Sequence, residues 1–196
     1  MSRTLYLAAL AYLGVSLYAL TSFSHARPAL PGPAHVVSQP AETSGGAWFA
    51  QVRAMCNPVE VDVGMRRNPP PAGYEGSAFQ AACYALAGKI DVARQVILAL
   101  PTDQRRSAAG VFLSIADPVA DAGDDQAAAP MMRLVLEFSP DSYIALYHAG
   151  ISEYALGDRR SAERHLRRFL ELYAPEDGFR TRAKAVLAEM HPAEEL

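Results

Sequence analysis

Three glycines, Gly88, Gly123 and Gly157, stand 35 and 34 residues apart, and the residues around them repeat at the same spacing. Five positions after each comes an alanine: Ala93, Ala128 and Ala162. An acidic residue follows each glycine within three positions, as Asp91, Asp124 and Asp158. Bulky apolar residues recur at Ile97, Met132 and Leu166, then at Leu100, Val135 and Phe169, and the units end near Pro101, Pro140 and Pro175. A repeat of this length constrains the fold more than any compositional figure. Each unit reads as helix–turn–helix, with the glycine supplying a positive φ where the first helix ends. The alanine marks a close crossing of the two helices. The proline opens the following helix, where its missing N–H costs nothing. One such hairpin cannot bury its own apolar face, so the units must stack.

A period of 34 residues with these landmarks resembles the tetratricopeptide-repeat (TPR) family, over residues 74–175. The resemblance implies an all-α fold: a short α-solenoid of about three TPR-like helical hairpins, within a repeat domain spanning 74–192. This sequence departs from the family pattern in places. Ser77 stands where the first helix of a unit expects a large residue, a role met only by Phe112 and Leu146 later. The small residue of that helix is Gly150 in the last unit but Ala81 and Ala116 in the others. The aromatic at Tyr84 has Val119 as its counterpart in the middle unit, and Tyr154 lies one place late in the third. Pro118 inside the first helix of the middle unit predicts a kink or an early stop. The family's concave groove is lined by the first helix of each unit. Placed on this chain it presents Ala78, Ala82 and Ala85, then Leu113, Asp117 and Asp121, then Ile144, Tyr147, Ile151 and Tyr154. Tyr147 and Tyr154 read equally well as interface residues or as packing against a capping helix.

On the C-terminal side a capping helix runs from after Pro175 to about Met190, with Phe179, Ala183, Val186, Leu187 and Met190 at helical spacing. On the N-terminal side, residues 47–73 read as a leading helix followed by an irregular loop. The helix starts near Ala47, carries Trp48, Phe49, Val52, Met55 and Cys56 on its apolar face, and stops at Asn57-Pro58. In the loop, the alternation Val59, Val61, Val63 allows a brief strand, and the run Pro69 to Pro71 ends any regular element. Residues 27–46, with Pro28, Pro31, Pro33 and Pro40, form a proline-rich linker.

Residues 5–23 carry no charge. As a helix, this stretch would reach about 28 Å, close to the roughly 30 Å hydrocarbon core of a bilayer. Residues 1–26 therefore read as a single transmembrane helix, with Tyr6 and Tyr18 near the interfaces and Gly14 among the small residues that suit helix packing. A cleaved signal peptide is the alternative, since Ser24-His25-Ala26 resembles a cleavage site and Arg3 a charged n-region. Either reading predicts a domain across the membrane from the cytosol. The anchored version is a single-pass protein of a bacterial inner membrane, with a cytoplasmic N-terminus and a periplasmic domain.

The formal net charge is −3, which gives no reason to expect nucleic-acid binding. No zinc-ligand spacing, phosphate loop, nucleophile elbow or dinucleotide fingerprint is present. None of the five histidines is spaced with other ligands as a metal set, and His148 and Glu153, five apart, do not share a helical face. The expectation is a protein that is not an enzyme, with no catalytic residue, no metal, no cofactor and no evident small-molecule substrate. Cys56 and Cys83 are open to two readings, one structural disulfide or two buried free thiols. Arg160, Arg164, Arg167 and Arg168 fall on one helical stripe, which could meet lipid headgroups or an acidic partner, or be a solvated face offset by Asp158, Glu163 and Glu171. The resulting expectation is a protein-interaction scaffold, an accessory or assembly subunit docked on integral membrane partners, with a bioenergetic complex as one such assembly. The alternatives are a soluble exported peptide binder with chaperone-like character and, more remotely, a small exported enzyme.

Overall fold

The computed structural model describes residues 44–191. The apolar segment with Tyr6, Gly14 and Tyr18, and the proline-rich stretch up to residue 43, lie outside the described residues. Among the described residues no helix is long and apolar enough to cross a membrane.

The described residues form nine α-helices and no strand. Before the repeats come α1 (Gly45–Val52), a 3₁₀ turn (Arg53–Met55) and α2 (Val61–Arg67). Three consecutive pairs follow: α3 (Tyr74–Leu86) with α4 (Ile90–Leu98), α5 (Thr102–Asp121) with α6 (Asp125–Phe138), and α7 (Tyr143–Ala155) with α8 (Arg159–Leu172). The last helix is α9 (Gly178–Met190). Each helix packs on the next within its pair, and the first helices of successive pairs also touch, α3 on α5, α5 on α7 and α7 on α9. The domain is all-helical and repeat-like.

The landmark glycines end the first helix of each pair with the same local chemistry. Gly88, Gly123 and Gly157 have φ of +74°, +76° and +85°. The N–H after each glycine donates to a carbonyl five residues back: Lys89 to Tyr84, Asp124 to Val119 and Asp158 to Glu153. That pattern satisfies carbonyls the helix leaves without partners and turns the chain sharply. The second helix then starts at once. Asp124 and Asp158 cap it, their carboxylates accepting from the Ala127 and Ser161 N–H groups. In the first pair the cap position is Lys89, and Asp91 sits inside the first turn. Ala93, Ala128 and Ala162 are fully buried, as are Ile97, Met132 and Leu166 that follow them.

Several local expectations are corrected. The stretch after Asn57 is not a loop up to the prolines, because α2 occupies Val61–Arg67. Asn57 Oδ1 accepts from the N–H groups of Val59 and Glu60, which folds the backbone into a turn before the helix. Val61 and Met65, four apart, are buried while Val59 is 86% exposed, so the working period is helical and the valine alternation is incidental. Pro118 neither stops nor splits its helix, since α5 runs unbroken to Asp121. Proline sits only three residues from that end and on its exposed side, so it removes a single bond, while buried Ala108, Ala109, Phe112 and Ala116 hold the rest of the helix in place. The unit-ending prolines do not occupy first helical positions either. Pro101 is itself the residue before α5, whereas Ser142 and Asp177 take over capping after Pro140 and Pro175. A side chain that can accept from orphan N–H groups serves an N-cap better than proline.

Contacts within the leading segment and from it to the repeats hold it in place, and Asp62 of α2 pairs with Lys89 at 2.5 Å. The Trp48 indole N–H donates to the Asn68 carbonyl, Phe49 stacks on Phe79 with centroids 5.2 Å apart, and Cys56 is joined to Cys83 of α3 in a disulfide. At Gly76 the prolines press directly on α3, because a Cβ there would lie 1.9 Å from the Pro71 carbonyl oxygen. Helix propensity alone favours Gly76→Ala by about 1 kcal/mol. The backbone collision outweighs it, and the variant should lose about 1–3 kcal/mol net, read as a lower urea midpoint by circular dichroism. An unchanged midpoint would mean that residues 69–73 yield at little cost.

Two apolar clusters result. The larger runs from Trp48 to Ala149 through all three pairs, and the smaller joins Leu146, Leu166 and Phe169 to Ala183, Val186 and Met190 of α9. The smaller cluster positions the site described next.

Candidate docking pocket

Where α5, α7, α8 and α9 approach one another, they leave a pocket of about 280 Å³. Five rings wall it: Tyr143 and Tyr147 from α7, Phe169 from α8, Tyr173 just after α8, and Phe179 from α9. They are in mutual contact. Tyr147 meets Phe179 edge-on at 5.1 Å and Phe169 at 5.3 Å, Phe169 stacks on Tyr173 at 4.8 Å, and Tyr173 meets Tyr143 at 5.2 Å. Such pairs contribute beyond the area they bury and hold one another in place. At the mouth, Phe179 is 50% and Tyr143 44% exposed. The expected placement of Phe179 on the buried face of the capping helix is therefore corrected: Ala183, Val186 and Met190 bury that face, and Phe179, in the first turn, projects to the pocket.

The other wall is polar. Asp117 and Asp121, one turn apart on α5, face His148 of α7, whose Nε2 lies 3.0 Å from Asp117 Oδ1 and 3.8 Å from Asp121 Oδ1. The side-chain ligand atoms of the three residues all lie within 4.8 Å of one another, a spacing that a metal ion could bridge. Asp117 Oδ1 is buried and makes no hydrogen bond of good geometry, despite its short distance to His148. Burial raises the Tyr147 phenol above its usual range, with Asp121 and Asp177 adding to the shift and Arg182 opposing it.

Of the residues placed on the groove by resemblance, Asp117, Asp121, Ile144 and Tyr147 line this pocket. Leu113 packs partly buried against the larger cluster, and Ile151 against the smaller. Tyr154 donates from its hydroxyl to Glu189 on α9, a bond that also raises its pKa, so it fastens the last helix to the third pair. Ala78, Ala82 and Ala85 are buried and offer no open surface. The arginine stripe on α8 is outside the pocket and largely engaged on its own helix. Arg167 pairs with Glu163, Arg168 with Glu171, and Arg164 donates to the Arg160 carbonyl and to Ser161.

Sequence reasoning missed two pairings. His148 meets Asp117 and Asp121 across 31 and 27 residues, a relation set by the stacking of α5 on α7. Glu153, 1% exposed, lies with one carboxylate oxygen 2.6 Å from His165 Nδ1 and the other 3.8 Å from Arg133. That pair bridges α7 and α8 and lies apart from the pocket lining. The signal available for it was the hairpin itself, which brings residues on either side of Gly157 together.

The floor of the pocket depends on the turn into α9. Asp177 accepts from the Phe179 and Arg180 N–H groups and from the Tyr173 hydroxyl at 2.5 Å. These bonds, that from Tyr173 foremost, hold the Asp177 carboxyl below its ordinary value of 3.8. A lowered folded-state pKa contributes stability above the unfolded value and loses it as pH falls through the folded one. The melting temperature of the wild type should thus be level above about pH 5 and fall below about pH 4, and Asp177→Asn should flatten part of that fall. An identical acid limb in the variant would show that Asp177 does not anchor the turn.

Compared with protein-family models, curated proteins and solved structures, the chain shows no match in any of the three.

Proposed function

We propose that this protein is a non-catalytic interaction module, a TPR-like solenoid of three helical hairpins with a capping helix, that docks on a protein partner through the aromatic pocket between its last two pairs and α9. The observation that carries this reading is the pocket itself. Five touching rings, two of them well exposed at the mouth, lie beside a pair of carboxylates. Aromatic residues in a preformed concavity are the usual anchors of protein interfaces. The repeated turn geometry at Gly88, Gly123 and Gly157 supports the family likeness. The Cys56–Cys83 disulfide favours an oxidising compartment, in keeping with a domain on the periplasmic side of an inner membrane and an N-terminal anchor. In that setting the partner is an integral membrane assembly, of which this chain is an accessory or assembly subunit. A bioenergetic complex is one such assembly.

The test is mild-detergent purification of the C-terminally tagged full chain, with intact mass and identification of stoichiometric companions, alongside the variant Phe179→Ala. Retention of Met1 and membrane-protein companions that are lost in the variant are the expected results. A mass beginning at Arg27 with no companions would leave a free exported domain instead. Companions unaffected by Phe179→Ala would move the docking site elsewhere on the molecule.

A further inference from the structure

We propose that the pocket receives an arginine side chain of the partner, its guanidinium forked by Asp117 and Asp121 and its flat face laid against Tyr147 and Phe179. This rests on the docking reading above and supplies its chemistry.

The first support is an electrostatic cost that the facing histidine, His148, offsets only in part. Asp117 and Asp121 are like charges one turn apart, an unfavourable pairing on a helix. Asp121 also ends α5, where the negative end of the helix dipole disfavours a carboxylate. His148 is the basic group of α7 that faces them. From α9 and its preceding turn, Arg182 and Asp177 act on the same pocket with opposite signs, as their effects on Tyr147 show. Asp117 Oδ1 is in addition buried with no good hydrogen bond. A cation arriving between the two carboxylates would answer all of these at once.

The second support selects the kind of cation. The opposite wall is made of ring faces and edges, and a planar, weakly hydrated guanidinium stacks on such surfaces while donating in a fork to carboxylates. The pocket volume of about 280 Å³ suits a guanidinium with its aliphatic stem. A bare metal ion would use Asp117, Asp121 and His148 and leave the five rings without a role. Lysine would gain the charge and lose both the fork and the stacking.

The experiment titrates the full chain in mild detergent with a nine-residue Gly/Ser peptide, blocked at both ends, carrying one central arginine. Matched peptides carry citrulline, which has the same shape without the charge, or glutamate. Backbone NMR shifts at Tyr147, His148 and Phe179 report the binding. The arginine peptide should bind at the pocket, with the citrulline peptide at least about tenfold weaker and the glutamate peptide silent. Asp117→Asn/Asp121→Asn should abolish the arginine preference. That variant removes a like-charge pair and also the His148 contacts, so far-UV circular dichroism is recorded alongside to establish that it stays folded. Equal binding of arginine and citrulline peptides, or no binding of either, overturns the proposal. So does tight Zn²⁺ binding that is lost in His148→Ala while the arginine peptide gives no response, which would assign a metal centre instead. In each of those cases, companions lost in Phe179→Ala would still stand as evidence for docking, so the two failures are distinguishable.

Discussion

Phe112→Ala should lower the unfolding free energy by about 3–5 kcal/mol, measured by urea denaturation. Phe112 is fully buried in α5, the helix that packs against α3, α6 and α7 and so touches all three pairs. Its ring belongs to the larger apolar cluster together with Ala116, Met131 and Met132. Removing the ring takes away the transfer free energy of its carbons and leaves a cavity that three helices cannot close together. Set against a total stability of roughly 5–15 kcal/mol, the change would leave a marginal fold. Phe112→Leu keeps most of the volume and should cost less than about 1.5 kcal/mol. If alanine and leucine behaved alike, the middle of the stack would be loosely packed and the cluster would not hold the pairs together.

The disulfide carries the second large effect. Cys56 and Cys83 are 27 residues apart, and closing a loop of that length restricts the unfolded chain by about 3.5 kcal/mol. For a domain of this size the loss should lower the melting temperature by roughly 7–14 °C. Because Cys83 is fully buried, Cys56→Ala/Cys83→Ala is a better test than a serine pair, which would add a buried hydroxyl. Wild type with a reducing agent should melt with the double variant. The loss should begin locally: amide exchange in α1 and α2 rises first, since the bridge ties that segment to α3, while α7 and α8 keep their protection. A melting temperature indifferent to reduction would show that contacts such as Phe49–Phe79 and Asp62–Lys89 secure the leading helices without the bridge.

How much of this was legible beforehand depended on whether the cause was local. The hairpin turns were legible, because a glycine at φ near +75° with a cap just behind it is a matter of a few consecutive residues. The short α2 was not, because Val61 and Met65 form a helical face only once there is a core to receive them, and the same letters read equally well as alternation. The early stop expected at Pro118 is absent for a similar reason: proline's cost is local and visible, while the packing of Phe112 and Ala116 that outweighs it is not. At the pocket, Asp117, Asp121, Ile144 and Tyr147 were identifiable through the repeat register. The parts played by His148, Phe169, Tyr173 and Phe179 were not, since they come from three separate segments that meet only when the third pair stacks on α5 and α9 closes over it.

By itself, then, the amino-acid order determined the all-helical class, the three glycine-ended hairpins and the buried alanines between them, because each follows from backbone freedom and side-chain size within a few residues. Only the tertiary structure decided which faces stay open. It sealed Ala78, Ala82 and Ala85, spent Tyr154 on Glu189, and set five rings against two carboxylates. Those outcomes depend on distances between helices, which are fixed by how the whole stack fills space and not by any one stretch of chain.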